Sequence, residues 1–217
     1  MSLAPSPSAI LPSASGEASA RARIQRGAAR LYALHGYQGT TIRAIAAAAG
    51  VTKPLVLYHF GSKELLFASL LRDCMQSCRT RFESATGATA SEHLRAVLQA
   101  QFARAREAPE VVAFAHEVMT MPGMLPLGFD YKKEGQALFD LYVQLIENGQ
   151  RSGEFRRVDP RAVVVMAMAT VGMYVAAVLA GDMAEVPPGV EATVYDLMVH
   201  GIATPAAASH VEGVRVG

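Results

Sequence analysis

Residues 40–66 read TTIRAIAAAAGVTKPLVLYHFGSKELL. The piece from Thr41 to Ala49 has a helix-starting threonine and an apolar face at Ile42, Ile45, Ala46 and Ala49. Gly50 closes it where a left-handed turn costs little. Val51 is placed to plug the gap between two helices. Thr52 can cap a second helix, and Pro54 suits a first turn, where its missing N–H is not needed. That second helix runs to about Phe60. Two short helices joined by a glycine turn is the arrangement that lays its second helix in a DNA major groove. Lys53, Leu55, Tyr58 and His59 supply a cation, an apolar surface, a hydroxyl and an imidazole for phosphates, thymine methyls and base edges. Spacing alone also fits an amphipathic pair inside a helical bundle, with Tyr58 or Phe60 as core.

Charge separates these readings. The chain of 217 residues has a formal net charge of +1. Residues 21–81 carry ten Lys and Arg against two acids, Glu64 and Asp73, a local charge of +8; the remainder is at −7. A basic unit coinciding with a helix-turn-helix points to phosphate neutralisation and counterion release.

The same residues resemble the TetR-like (tetracycline-repressor) regulators. The resemblance runs through Gly36-Tyr37, Thr40-Thr41, Ile45-Ala46, Ala49-Gly50-Val51-Thr52-Lys53, Tyr58-His59-Phe60 and Ser62-Lys63-Glu64-Leu65-Leu66-Phe67. A later stretch, Gly149-Gln150, Gly153-Glu154-Phe155-Arg156 and Asp159-Pro160, is similar to the lead-in to that family's eighth helix. Leu57 stands where a tyrosine is common. The resemblance implies Thr40, Thr41, Lys53, Tyr58, His59 and Lys63 as DNA contacts, with Thr41 and Lys63 holding phosphates at helix N-termini. Arg43, projecting from the first helix of the pair, Thr52 and Leu55 are added from the residues themselves.

Composition favours an all-helical chain: apolar residues make up 51%, with no Trp, and strand-like alternation is rare. Helices are expected over about 19–35, 41–49, 52–60, 62–84, from Ser91, 109–121, 130–151, 160–180 and from Pro187-Pro188-Gly189 to about Ile202, about nine in all. Met121 to Gly128, rich in Pro and Gly, reads as a connector. The expected division is a disordered tail at 1–18, a DNA-binding domain at 19–66, an effector-binding and dimerisation domain at 67–204 and a flexible tail at 205–217. The stretch Met1 to Ala20 lacks the charged and apolar regions of a signal peptide, and a cytoplasmic location is expected. Cys74 and Cys78, four apart on a helix, read as reduced, partly buried thiols or as a redox pair.

Ala162 to Gly181 is a run without charge, long enough to span a membrane. Its Ala and Gly content, Thr170 and Tyr174 inside it, and the acids Asp182 and Glu185 just after it argue against lipid. A helix apolar all round must be covered on every side. A partner subunit or the subunit's own core can do that. Val165, Ala169, Gly172, Ala176 and Leu197 are the expected dimer contacts, and the resemblance implies a four-helix seam there.

The acidic part would then set when DNA is bound. Phe114, His116, Glu117, Met119, Phe139, Tyr142, Met166 and Met173 are the candidate lining of an effector pocket. Ordinary core packing is the competing reading of the Met and Phe residues, and a solvated face that of His116-Glu117. The six histidines lack metal spacing, and no phosphate loop or nucleophile elbow occurs. No enzyme, cofactor or metal is expected. The reading is a homodimeric transcription regulator, a repressor that leaves a near-palindromic operator when a small apolar or amphipathic effector binds. A membrane-associated or enzymatic helical half is the alternative.

Overall fold

The computed structural model describes the backbone of residues 14–120 and 132–202 and the side chains of 19–119 and 135–200. Among the described residues there are nine helices and no strand: α1 Ala14–Gly39, α2 Ile42–Ala49, α3 Lys53–Phe60, α4 Lys63–Ser84, α5 Ala90–Glu107, α6 Pro109–Thr120, α7 Lys132–Ser152, α8 Pro160–Ala180 and α9 Val190–Ile202. The expected connector at 121–128 and the tail at 205–217 lie outside the described residues. So does most of the expected N-terminal tail, although its last residues are helical, since α1 begins at Ala14.

Side-chain chemistry sets the helix ends. Thr41, Thr52, Ser62 and Thr89 each accept a backbone N–H from three residues on, the N-cap bond that uses an otherwise orphaned donor. The fifth helix therefore starts at Ala90, capped by Thr89, rather than at Ser91. Gly50 sits at φ 62, ψ 40, and its N–H reaches back to the last carbonyls of α2. A side chain there would strain the turn between the two helices. Gly36 kinks α1, so its last residues turn toward α2.

The reading head packs around Ile24, Tyr32, Ile45, Val56, Leu66 and Phe67, all essentially inaccessible. This core does not stop at residue 66. Phe114 and Val118 of α6 belong to it, and Tyr32, Tyr37, Phe67 and Phe114 form one aromatic cluster with centroids 5.2 to 6.0 Å apart. α4 runs without a break from the head into the rest of the chain. A second core joins α4, α5, α7, α8 and α9 through Phe82, Leu98, Ile146, Val164 and Met198. Arg106 of α5 clasps Glu191 of α9 with two hydrogen bonds of 2.9 and 3.0 Å. Glu154 accepts the Ala90 and Ser91 N–H groups, tying the α7–α8 link to the start of α5.

Candidate nucleic-acid interface and cavity

The α2–α3 pair presents its polar side outward. Val56 and Phe60 are buried under α3, while Tyr58 is 70% exposed and Lys53 and Leu57 also face out. Phe60, not Tyr58, is therefore the core residue of the two. Arg21 of α1 lies 4.5 Å over the Phe60 ring, which holds the end of α3 against α1. Thr41 and Thr52 are exposed caps. Each accepts a backbone N–H through its oxygen, which leaves its hydroxyl proton able to donate. Arg43 is exposed, and Leu55 is half-buried.

Three of the expected contacts are placed differently. Thr40 is 1% exposed, and its hydroxyl faces the Gly36 carbonyl at 2.9 Å and that of Leu31 at 3.1 Å. Its hydrogen bond is spent on the end of α1. Lys63 donates to the Tyr37 and Thr40 carbonyls, both at 3.0 Å, with its ammonium 4.0 Å over the Tyr37 ring. It clips α4 to the α1–α2 turn instead of reaching out. His59 is half-buried and its Nε2 is shut away from solvent without a hydrogen-bond partner. Beside this clip Tyr37 donates to Glu64 Oε1 at 2.7 Å. That bond, with help from the Glu64 N–H and Ser62, holds the Glu64 carboxyl down to about 2.

Behind the head, α4 to α8 surround a cavity of about 640 Å³, within the range of small-molecule sites. His116, Met119, Phe139 and Tyr142 line it as expected. Burial pushes the His116 imidazole down from its ordinary value, against the pull of Glu117. Tyr142 accepts a hydrogen bond from the Gln101 amide, and its phenol is pushed up by burial.

The other four expected lining residues are elsewhere. Phe114 is 1% exposed, but inside the aromatic cluster of the head. Glu117 is on α6 and off the cavity wall. Met166 and Met173 are 62% and 67% exposed on the outer side of α8. A helix buried on one side carries its apolar residues to both sides when it is apolar throughout, and composition cannot say which side faces in. Sequence reading missed Gln101, Arg104, Cys74 and Cys78 on the wall. A signal existed, since Val97, Gln101 and Arg104 share one stripe of α5 at helical spacing, as do Cys74 and Cys78 on α4. The Cys74 thiol holds Cys78 below the usual thiol range, while Cys74 itself is pushed up by its neighbour and by burial.

α8 divides its apolar surface. Val163, Val171 and Val175 point into the subunit, while Val165, Ala169 and Ala176 are exposed, as is Leu197 of α9. Gly172 departs from expectation. It is buried against α6, and a Cβ there would lie 2.1 Å from the His116 ring. It accommodates a neighbour within the chain and is not on the outer face.

Residues 24–70 match the family described as bacterial regulatory proteins, tetR family. The chain is 43% identical over 53 residues to the HTH-type transcriptional repressor AcnR of Corynebacterium efficiens, covering 24% of this chain and 28% of that protein. It is 31% identical over 149 residues to the HTH-type transcriptional regulatory protein RaaS of Mycobacterium tuberculosis, covering 68% of this chain and 66% of RaaS. The alignment thus spans little more than a quarter of the AcnR repressors' length. Among solved structures, the ketosteroid transcriptional regulator KstR2 of M. tuberculosis aligns with TM-score 0.69 at 22% identity, over 85% of this chain and 95% of that one. AibR in complex with isovaleryl coenzyme A and operator DNA aligns with TM-score 0.61 at 20% identity, over 85% and 98%.

Proposed function

The chain belongs, through its helix-turn-helix domain, to the tetR family of bacterial regulatory proteins, and from that premise we propose that it is an effector-responsive, DNA-binding transcription regulator acting as a homodimer in the cytoplasm. It represses from a near-palindromic operator and carries no enzymatic activity. The observation that carries this reading is α6. One side of it, Phe114 and Val118, sits in the core of the reading head. Another, Val112, Ala115, His116 and Met119, lines the cavity. A molecule filling the cavity cannot displace α6 without moving the aromatic cluster under α1, and so the tilt of α3. A ligand that fits only one arrangement shifts the population toward it.

On DNA, α3 enters the major groove with Lys53, Leu55 and Tyr58 foremost. Thr41, Arg43 and Thr52 hold the flanking phosphates. Thr40, Lys63 and His59 support that surface from behind. The exposed apolar side of α8 with α9, carrying Val165, Met166, Ala169, Met173, Ala176 and Leu197, pairs two subunits. α8 is long and apolar enough to cross a membrane by composition, and only 28% of its most apolar window is buried within the chain. A second subunit covers the rest. Two reading heads related by a two-fold then read half-sites about one helical turn or more apart.

The test is selection of genomic fragments with the purified full chain, then a screen for small molecules that release the selected fragment. The expected result is a near-palindromic consensus bound by a dimer. A chain that retains no fragment even at low salt refutes the reading.

A further inference from the structure

We propose that the effector is an apolar monocarboxylate, its hydrocarbon body in the cavity and its head group on Arg104. This rests on the cavity being the effector site. Arg104 stands on the cavity-facing stripe of α5 with Val97 and Gln101. Cys74 and Cys78 of α4 line the same cavity.

The wall around it holds no Asp or Glu among the described residues. Nearby arginines are already matched. Arg106 is clasped by Glu191, Arg81 pairs with Glu107 at 2.9 Å, and Arg161, the other arginine on the wall, has Asp140 at 3.8 Å. Arg104 has no ion pair or hydrogen bond of its side chain among the described residues. Among the described residues, the cavity thus offers an arginine without an ion pair in a mostly apolar wall.

A fixed charge beside an apolar wall is satisfied by an ion of opposite sign carrying its own apolar body. A guanidinium presents two parallel N–H groups, the geometry of a carboxylate. A single negative charge neutralises it, whereas a dianion would leave charge uncompensated against hydrocarbon. The volume takes a chain of about ten carbons or more within the range of drug-sized sites.

Calorimetric titration of the full chain with decanoate and with decanol tests this, since the two differ only in the head group. Decanoate is expected to bind about tenfold tighter or more, the margin of a charge-assisted hydrogen bond. In Arg104→Gln the two affinities should converge to within about twofold, with decanol binding unchanged, as expected for loss of the charge alone. Arg104→Lys should keep part of the preference. Equal affinities in the wild type, or a preference that survives in Arg104→Gln, overturn the head-group assignment and leave the cavity as the effector site. Absence of binding by either probe overturns the effector reading itself, and this inference with it.

Discussion

Lys53 and Lys63 carry the same charge on the same motif and are used differently. Lys63 has two carbonyls and a ring for partners inside the chain. Lys53 is exposed at the start of α3. Lys53→Ala is therefore expected to weaken binding to every DNA sequence and to lower the slope of log affinity against log salt by about one. A slope that does not change would remove Lys53 from the phosphate contacts. Glu64 carries the pH dependence of the same corner. Its folded-state pKa, about 2, lies below the ordinary carboxylate value. Its contribution to stability is thus complete above the unfolded pKa and lost as pH falls through the folded one. Comparing urea midpoints of wild type and Glu64→Gln should show a gap at neutral pH that closes between about pH 5 and pH 2. A gap independent of pH would contradict the assignment.

Among the elements, α8 shows how far a hydrophobic run can be read. Its length and its opening proline were legible, and Pro160–Ala180 is where the helix lies. Its faces were not, because a helix with so few polar residues has almost no amphipathic phase to read. Gly172 and Met173 are neighbours in sequence and point opposite ways. Gly172→Leu is expected to lower the melting temperature through collision with His116, by about 2 kcal/mol of stability as in overpacked cores. Met173→Glu should leave the subunit folded and place two like charges in the proposed seam. Sedimentation then distinguishes them: a monomer for Met173→Glu is expected, and an intact dimer would move the interface off this face. The candidate pocket divides for the same reason. His116, Met119, Phe139 and Tyr142 line the cavity, while Met166 and Met173 cannot be told from them by residue type.

For the molecule as a whole, the head and the cavity share α4 and α6 and do not form separable modules. Arg26 of α1 also meets Glu110 of α6 at 3.5 Å. Phe114→Ala removes the ring at the junction. It is expected to cost about 3 kcal/mol, as for a buried aromatic truncated to Ala. Hydrogen exchange should then rise in α1 and α4 together with α6. Extra exchange confined to α6 would mean that the junction does not couple the two halves.

The chain's local chemistry by itself determined its helices, the caps and glycine turn of the reading motif, and the concentration of positive charge on it. Those follow from short-range hydrogen bonding and from counting, which need no knowledge of neighbours. Only the tertiary structure decided which polar groups are free. Thr40, His59 and Lys63 look like contacts in the sequence because their types suit DNA, yet packing of α1 and α4 against them uses or encloses their polar atoms. The same packing left Arg104 on a cavity wall without an ion pair among the described residues while giving carboxylates to Arg81, Arg106 and Arg161, since pairing depends on which helices meet and not on the order of residues along the chain.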